Sequence, residues 1–128
     1  MRFPFITFLI TALLGLAVPL KAHHSYAGTY DGNKPVTIHG TISKLTWSNP
    51  HAHFHVEVMN QKGETTTWDV ETATTIALAR GGINKGDFFG QEVVVTGFLA
   101  RDGTPTMAAT RFTLPALKKE FGSGKLEP

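Results

Sequence analysis

Apolar and polar residues alternate along most of the chain, and this period of two predicts β-strands. In the first strand, Val36 and Ile38 have one parity, whereas Leu45 and Trp47 have the other. Gly40 lies near this change of phase, and a glycine there is typical of a bulge or sharp bend. The predicted strands are residues 36–47, 51–59, 64–71, 93–99 and 106–114.

One short helix is predicted over residues 72–80, between the third and fourth strands. Thr72 is expected to cap its start, Gly81-Gly82 ends it, and its apolar face is formed by Ala73, Ile76 and Ala79. Three strands, a helix and two further strands are the order of the OB-fold, a five-stranded Greek-key barrel. The predicted fold class is therefore all-β, an OB-like barrel over residues 35–115 with antiparallel strands.

The first 22 residues have the pattern of a secretory signal peptide. Met1 and Arg2 form a short positive start, residues 3–18 are almost continuously apolar, and Ala22 supplies a small residue at the cut. The apolar run is shorter than the roughly 20 residues that span a bilayer. We therefore expect cleavage after Ala22, no membrane anchor afterwards, and a periplasmic or secreted protein.

The segments that flank the predicted barrel lack a strand or helix pattern. Residues 23–34 contain Gly28, Gly32 and Asn33 and are expected to form an irregular arm. Residues 116–128 are rich in Lys, Gly and Ser and are expected to form a flexible tail. The whole chain therefore predicts one small domain.

Charge and cysteine content narrow the range of partners and chemistries that the chain can use. The signal contains Arg2 and Lys21, so its removal lowers the count of basic residues from 12 to 10, equal to the 10 acidic residues. No basic stripe is present, so nucleic acid is not an expected partner. The chain has no cysteine, which excludes thiol chemistry and disulfides.

All six histidines lie between His23 and His55. Three of them, His51, His53 and His55, alternate with Ala52, Phe54 and Val56. Burial of Phe54 and Val56 would place the three imidazoles together on the outer face of a strand. Alternate histidines on a strand have their roots about 6 to 7 Å apart, so two rings can converge on one ion.

The N-terminal histidines add a second set of candidate ligands. After cleavage at Ala22, the free amine and ring of His23 form a chelate that further histidines can complete, in the manner of a histidine brace. Cleavage before Ala22 instead makes His24 the third residue, as in the N-terminal copper and nickel motif. Imidazole ligands favour Cu(II) over Zn(II) or Ni(II). The candidate metal ligands are His23, His24, His51, His53 and His55.

Several short motifs resemble those of an uncharacterised family of exported bacterial proteins, a domain of unknown function. They are Ala22-His23-His24-Ser25-Tyr26, Lys34-Pro35-Val36-Thr37, Gly40-Thr41-Ile42, Trp47-Ser48-Asn49-Pro50-His51, Gly97-Phe98 and Arg101-Asp102-Gly103. The resemblance implies a bacterial envelope location and a barrel, but no mechanism. The strand order is also similar to that of small periplasmic OB-fold proteins.

Alternatives to metal binding remain open. Exposed histidines are often only polar surface residues, and the barrel is then a module for a small ligand or an envelope protein partner. Trp47 and Trp68 are candidates for stacking on a sugar or base, but such residues more often pack in a core. Glu57 shares the histidine face and Asp69 and Glu71 lie on the neighbouring strand, so a hydrolytic metal site is a third alternative. The chain has no Gly-x-Ser-x-Gly elbow and no glycine-rich phosphate loop, so an enzyme is less expected.

Overall fold

The computed structural model describes residues 26–122, which form one sheet with two short α-helices. The helices and strands, in chain order, are α1 (Tyr26–Thr29), β1 (Tyr30–Thr46), β2 (His53–Met59), β3 (Thr65–Glu71), α2 (Thr75–Arg80), β4 (Glu92–Ala100), β5 (Thr106–Leu114) and β6 (Lys119–Phe121). Single 3-10 turns lie at Lys85–Asp87 and Pro115–Leu117. Within residues 26–122, no helix is long and apolar enough to cross a membrane.

Five strands close into a ring in which each strand has two neighbours. β1 pairs with β2 and β4, β2 with β3, and β4 with β5, all antiparallel. The ring closes through a parallel pairing of β3 with β5, from Asp69 opposite Thr106 to Glu71 opposite Ala108. This arrangement, with α2 between β3 and β4, confirms the predicted OB-like barrel.

The prediction that all strands run antiparallel is wrong for the β3–β5 pair. A closed ring with an odd number of strands cannot alternate direction throughout. β3 is antiparallel to β2, and β5 is antiparallel to β4, while β2 and β4 are both antiparallel to β1. β3 and β5 therefore run in the same direction, and their pairing is parallel.

The barrel core contains the residues that alternation predicts to be buried. Phe54, Val56 and Val70 are buried, and in β4 the inward residues are the two neighbours of Val94, Val93 and Val95. Trp68 is partly buried and packs against this core. Finding Phe54 buried and His53 partly exposed confirms the predicted register of β2.

The phase change in β1 lies at a different residue from the predicted one. Ile38 and Ile42 are both buried, so parity is kept through Gly40. The register with β2 shifts between Ile42 and Lys44, which places the bulge at Ser43. Gly40 is required instead by the close approach of β2, because a Cβ there would lie 2.2 Å from the backbone oxygen of Glu57.

The helix α2 is shorter than predicted and presents another face. Thr74 is the N-cap and accepts a hydrogen bond from the backbone N–H of Ala77, whereas the buried Thr72 belongs to the link after β3. The later start turns Leu78 into the barrel and leaves Ile76 59% exposed. The predicted cap at Thr72 and the predicted apolar contact of Ile76 are therefore wrong.

Both flanking segments contribute regular structure where the chain is described. In the arm predicted as irregular, α1 precedes Tyr30, which begins β1 opposite Ala100 and is buried. In the tail predicted as flexible, β6 pairs with β5 and adds a sixth strand. Phe121 packs on Phe112 with ring centroids 5.7 Å apart, and this apolar contact explains the extra strand.

Candidate functional site

The predicted histidines of β2 lie on the outer surface of the barrel beside the carboxylates of β3. We define the histidine face as His51, His53, His55, Glu57, Asp69 and Glu71. His53, His55 and Glu57 alternate with the buried Phe54 and Val56, and His51 precedes the strand. The β2–β3 pairing places Asp69 opposite His55 and Glu71 opposite His53.

Two histidines of this face lie against a carboxylate through the same ring atom, and for His53 the contact is a hydrogen bond. Nδ1 of His51 lies 3.0 Å from Oε1 of Glu71, and Nδ1 of His53 lies 3.3 Å from Oδ1 of Asp69. Because an ionised carboxylate only accepts hydrogen bonds, a neutral imidazole can donate to it only from a protonated Nδ1. In that tautomer Nε2 keeps its lone pair, which is the state needed to bind a metal ion.

Both rings are accessible to a ligand. The side chain of His51 is 44% exposed, and that of His53 is 38% exposed. The pairing follows a diagonal across the two strands, since His53 bonds Asp69 and not the directly opposite Glu71. Glu71 instead lies against His51, which precedes the strand.

A buried tyrosine holds Glu71 from the other side. The Tyr30 hydroxyl donates a hydrogen bond of 2.5 Å to Oε2 of Glu71. Burial, and then this bond, raise the pKa of the Tyr30 phenol. The ring of Tyr26 packs 5.2 Å from that of Tyr30, and burial followed by the charge of Glu71 raises its pKa also. The start of the described chain therefore lies next to Glu71.

Replacing this buried phenol should change the alkaline stability of the barrel. An unfolded tyrosine ionises near pH 10, whereas the raised pKa keeps folded Tyr30 protonated. Above about pH 10 the unfolded chain binds fewer protons, so the free energy of unfolding falls as pH rises. We expect Tyr30→Phe to flatten this alkaline fall in urea titrations, more than Tyr26→Phe does. If the free energy of unfolding of Tyr30→Phe fell with pH as steeply as that of the native protein, Tyr30 would not be the group with the raised pKa.

The other members of the face have different surroundings. His55 lies between Lys44 of β1 and Asp69 of β3 in the sheet register. Glu57 accepts hydrogen bonds from the hydroxyls of Thr67 and Ser43, each at 2.8 Å. These bonds, that of Thr67 foremost, lower the pKa of Glu57. Glu57 therefore links β1, β2 and β3 by hydrogen bonds at one end of the histidine face.

The structure does not bring all the histidines together. His39 lies on β1 opposite Val94 and lines a cleft of about 280 Å³ with Met59 and Glu92, and this cleft shares Glu57 but none of the other histidines with the histidine face. Within residues 26–122, no group of three or more His, Cys, Asp or Glu side chains is placed to hold a metal ion. The predicted ligands His23 and His24 lie outside the described residues, three and two positions ahead of Tyr26.

A family model matches most of the chain. It covers residues 12–109 and is described as a family of unknown function, DUF6152. The chain belongs to this family. No curated protein matches this DUF6152 member.

Several solved structures are similar to this DUF6152 member. A mitochondrial single-stranded DNA-binding protein of S. cerevisiae, Rim1, is 15% identical with a TM-score of 0.51, covering 67% of this chain and 95% of its own. The N-terminal domain of PriB from Thermoanaerobacter tencongensis is 17% identical, with a TM-score of 0.48 and coverage of 64% and 96%. Yeast Stn1 and Ten1 give 12% identity, a TM-score of 0.40 and coverage of 73% and 44%. The first similarity supports the OB-fold alone.

Sequence reasoning placed carboxylates near the histidines but missed the two tyrosines and the particular histidine–carboxylate pairs. Tyr30 and Tyr26 fall in the segment expected to be irregular, and nothing in their spacing indicates a contact with Glu71. The carboxylates had a weak signal, since Asp69 and Glu71 alternate with the inward Trp68 and Val70. Their pairing with particular histidines depends on the β2–β3 register.

Proposed function

We propose that this protein is an exported OB-fold binding protein, periplasmic or secreted, that binds one Cu(II) ion and, less tightly, Zn(II) or Ni(II). The observation that carries the proposal is the pair of contacts that Nδ1 of His51 makes with Glu71 and Nδ1 of His53 makes with Asp69. Metal-binding histidines commonly donate their second ring N–H to a carboxylate, which fixes the ring and makes the free nitrogen more basic.

The two imidazoles need additional ligands. The described residues hold no set of three metal-ligating side chains. The chain ahead of Tyr26 carries His23 and His24, and its length sets a limit on their position. Three residues span at most about 11 Å, so His23 is tethered within that distance of Tyr26. Tyr26 packs on Tyr30, which bonds Glu71, the partner of His51.

The position of signal cleavage determines which metal ligands the N-terminal segment supplies. With His23 first, its amine and ring supply two nitrogens, and His51 or His53 supplies another. With Ala22 first, His24 is third, and the amine and deprotonated amides bind in one plane with its ring. His55 is a further candidate from the strand. The signal-like residues 1–22 support export and a free N-terminus after cleavage.

Copper titration of correctly processed protein tests the proposal. The protein starting at His23 should bind one Cu(II), with nitrogen coupling in its electron paramagnetic resonance spectrum. An extra residue before His23 should weaken binding, because it removes the amine chelate, and His51→Ala/His53→Ala should weaken it as well. His39→Ala is the matched control and should bind as the native protein does.

The affinity should also fall with acidity. An imidazole must be neutral to bind a metal ion, so binding should weaken as the pH falls through about 7 to 5. Native protein that binds copper no more tightly than a form lacking His23, His24, His51 and His53 would contradict the proposal. Equal copper affinities of the native and extended forms would show that the N-terminal amine is not a ligand.

A module for a small ligand, without metal, is the second candidate. A groove of about 320 Å³ at the β4–β5 loop favours it, since Trp68, Leu99 and Pro105 form apolar walls and Lys34 adds a cation. Alternatively, this metal-free binding module binds an envelope protein partner. Quenching of Trp68 fluorescence by an anionic aromatic probe, abolished in Lys34→Ala, would support a ligand site here.

Nucleic acid is a further partner to consider, because Rim1 is a single-stranded DNA-binding protein. Charge on the histidine face argues against it here, because this face carries three carboxylates, Glu57, Asp69 and Glu71, while Lys44 is the basic residue opposite His55. A phosphate backbone binds where basic residues dominate. Fluorescence anisotropy with a labelled thymidine oligonucleotide at low salt should show no binding, and tight binding would overturn this expectation.

A further inference from the structure

The groove beside the β4–β5 loop is the open end of the barrel. The starts of β1, β3 and β5 meet the ends of β2 and β4 there, because β1 is antiparallel to β2 and β4, while β3 and β5 run parallel. The groove has a volume of about 320 Å³. We define the barrel mouth by the side chains that line it, Lys34, Thr66, Trp68, Leu99, Thr104 and Pro105.

Strand parity turns the walls of the mouth toward the barrel axis. Thr66 and Trp68 have the parity of the buried Val70 in β3, and Leu99 has the parity of the buried Val95 in β4. Trp68 is partly buried and packs against the core. The mouth therefore continues the apolar interior of the barrel to the surface.

The opposite end of the barrel is filled by side chains. Leu78 of α2 and Phe88, which precedes β4, are fully buried, and Trp47 packs on Phe88 with ring centroids 6.0 Å apart. Barrel mouths are frequent sites for small ligands, which occupy concave, mostly apolar pockets with a few polar groups. The mouth, and not the α2 end, is therefore open to a ligand.

Lys34 gives the mouth a positive charge. Its parity is that of Val36 and Ile38, which pack in the core. Among the described residues, no carboxylate forms an ion pair with Lys34. The carboxylate of the adjoining loop, Asp102, accepts hydrogen bonds from the N–H and the hydroxyl of Thr104, at 3.0 and 2.6 Å, and does not line the mouth. The ammonium of Lys34 is therefore available to an anionic ligand.

We propose that the barrel mouth binds a small aromatic monocarboxylate, with its carboxylate on the ammonium of Lys34 and its ring against Trp68. The inference rests on the second candidate function, the metal-free ligand module, and names its ligand class. An ammonium forms strong, charge-assisted hydrogen bonds with a carboxylate, and an aromatic ring packs favourably on an indole. One cation matches one negative charge, and a volume near the lower end of typical ligand pockets matches a small molecule.

NMR titration with two compounds tests the ligand class. Phenylacetate is the probe, and phenylacetamide has the same ring without the charge. The chain has two tryptophans, so phenylacetate should shift the indole N–H signal of Trp68 and leave that of Trp47, at the filled end, in place. Phenylacetamide should bind about tenfold more weakly, because it lacks the hydrogen bond between two charged groups. Equal affinities for the two compounds would overturn the inference and leave the ligand module standing.

Variants of Lys34 test its role in the same titration. Lys34→Met should weaken phenylacetate binding about tenfold and leave phenylacetamide binding unchanged, whereas Lys34→Arg keeps the charge and should retain most of the affinity. Lys44→Met is the matched control, because Lys44 is an exposed lysine of β1 outside the mouth. Unchanged phenylacetate affinity in Lys34→Met would overturn the inference. No shift of Trp68 with either compound would refute the ligand module at this groove as well, and copper binding is judged separately because these titrations contain no metal.

Discussion

Gly97→Ala is expected to destabilise the barrel by about 3 kcal/mol, the upper end of typical overpacking costs. Gly97 lies in β4 at a register shift with β5. An added Cβ would lie 1.8 Å from the carbonyl oxygen of Ala108 and 2.8 Å from its carbonyl carbon. Both are backbone atoms of the barrel wall, so no side-chain rotation relieves the clash.

Urea unfolding followed by circular dichroism measures this effect. Gly32→Ala is the matched control, because a Cβ there meets nothing within 4 Å. Gly32 is an exposed residue of β1, and its substitution should leave the free energy of unfolding almost unchanged. Similar unfolding midpoints for the two variants would show that β4 and β5 can separate at Gly97 at little cost.

Glycines in this chain show one limit of sequence interpretation. Gly40 lies near a change of parity, which predicts a bend there, but the bulge is at Ser43. Gly40 is needed because β2 passes close to it, and Gly97 because β5 does. A glycine required by a bend and one required by a close neighbour are identical in sequence, and only the pairing separates them.

Alternation predicts the barrel well because it reports burial directly. Phe54 and Val56 identify the inner face of β2, and the histidines follow on the outer face. Short segments give no comparable signal. β6 has three residues and depends on the contact of Phe121 with Phe112, while Tyr30 depends on Glu71, 41 positions away.

The candidate site is therefore predictable only in part. The side of β2 that carries the histidines follows from parity. Which carboxylate meets which imidazole follows from the β2–β3 register and the diagonal lean of the side chains, neither of which is visible in a single strand. The sequence therefore predicts candidate ligands without the residues that orient them.

Glu71→Ala is expected to lower the Cu(II) affinity of protein starting at His23 by about 10 to 100-fold, the usual cost of losing a residue that orients a metal ligand. Glu71 lies 3.0 Å from Nδ1 of His51 and accepts a hydrogen bond from the Tyr30 hydroxyl, so its loss frees the ring of His51 and leaves a buried hydroxyl without this acceptor. Glu71→Gln should have a smaller effect, since its amide oxygen can still accept the Nδ1 hydrogen.

Two further variants separate orientation from general damage. Glu120→Ala removes an exposed carboxylate of β6 that pairs with Arg111 of β5. This variant should bind copper as the native protein does. Tyr30→Phe/Glu71→Ala removes the unpaired hydroxyl and should recover stability without recovering copper affinity. Because stability and affinity then change independently, a double variant that regains both would show that Glu71 supports the fold and does not orient His51.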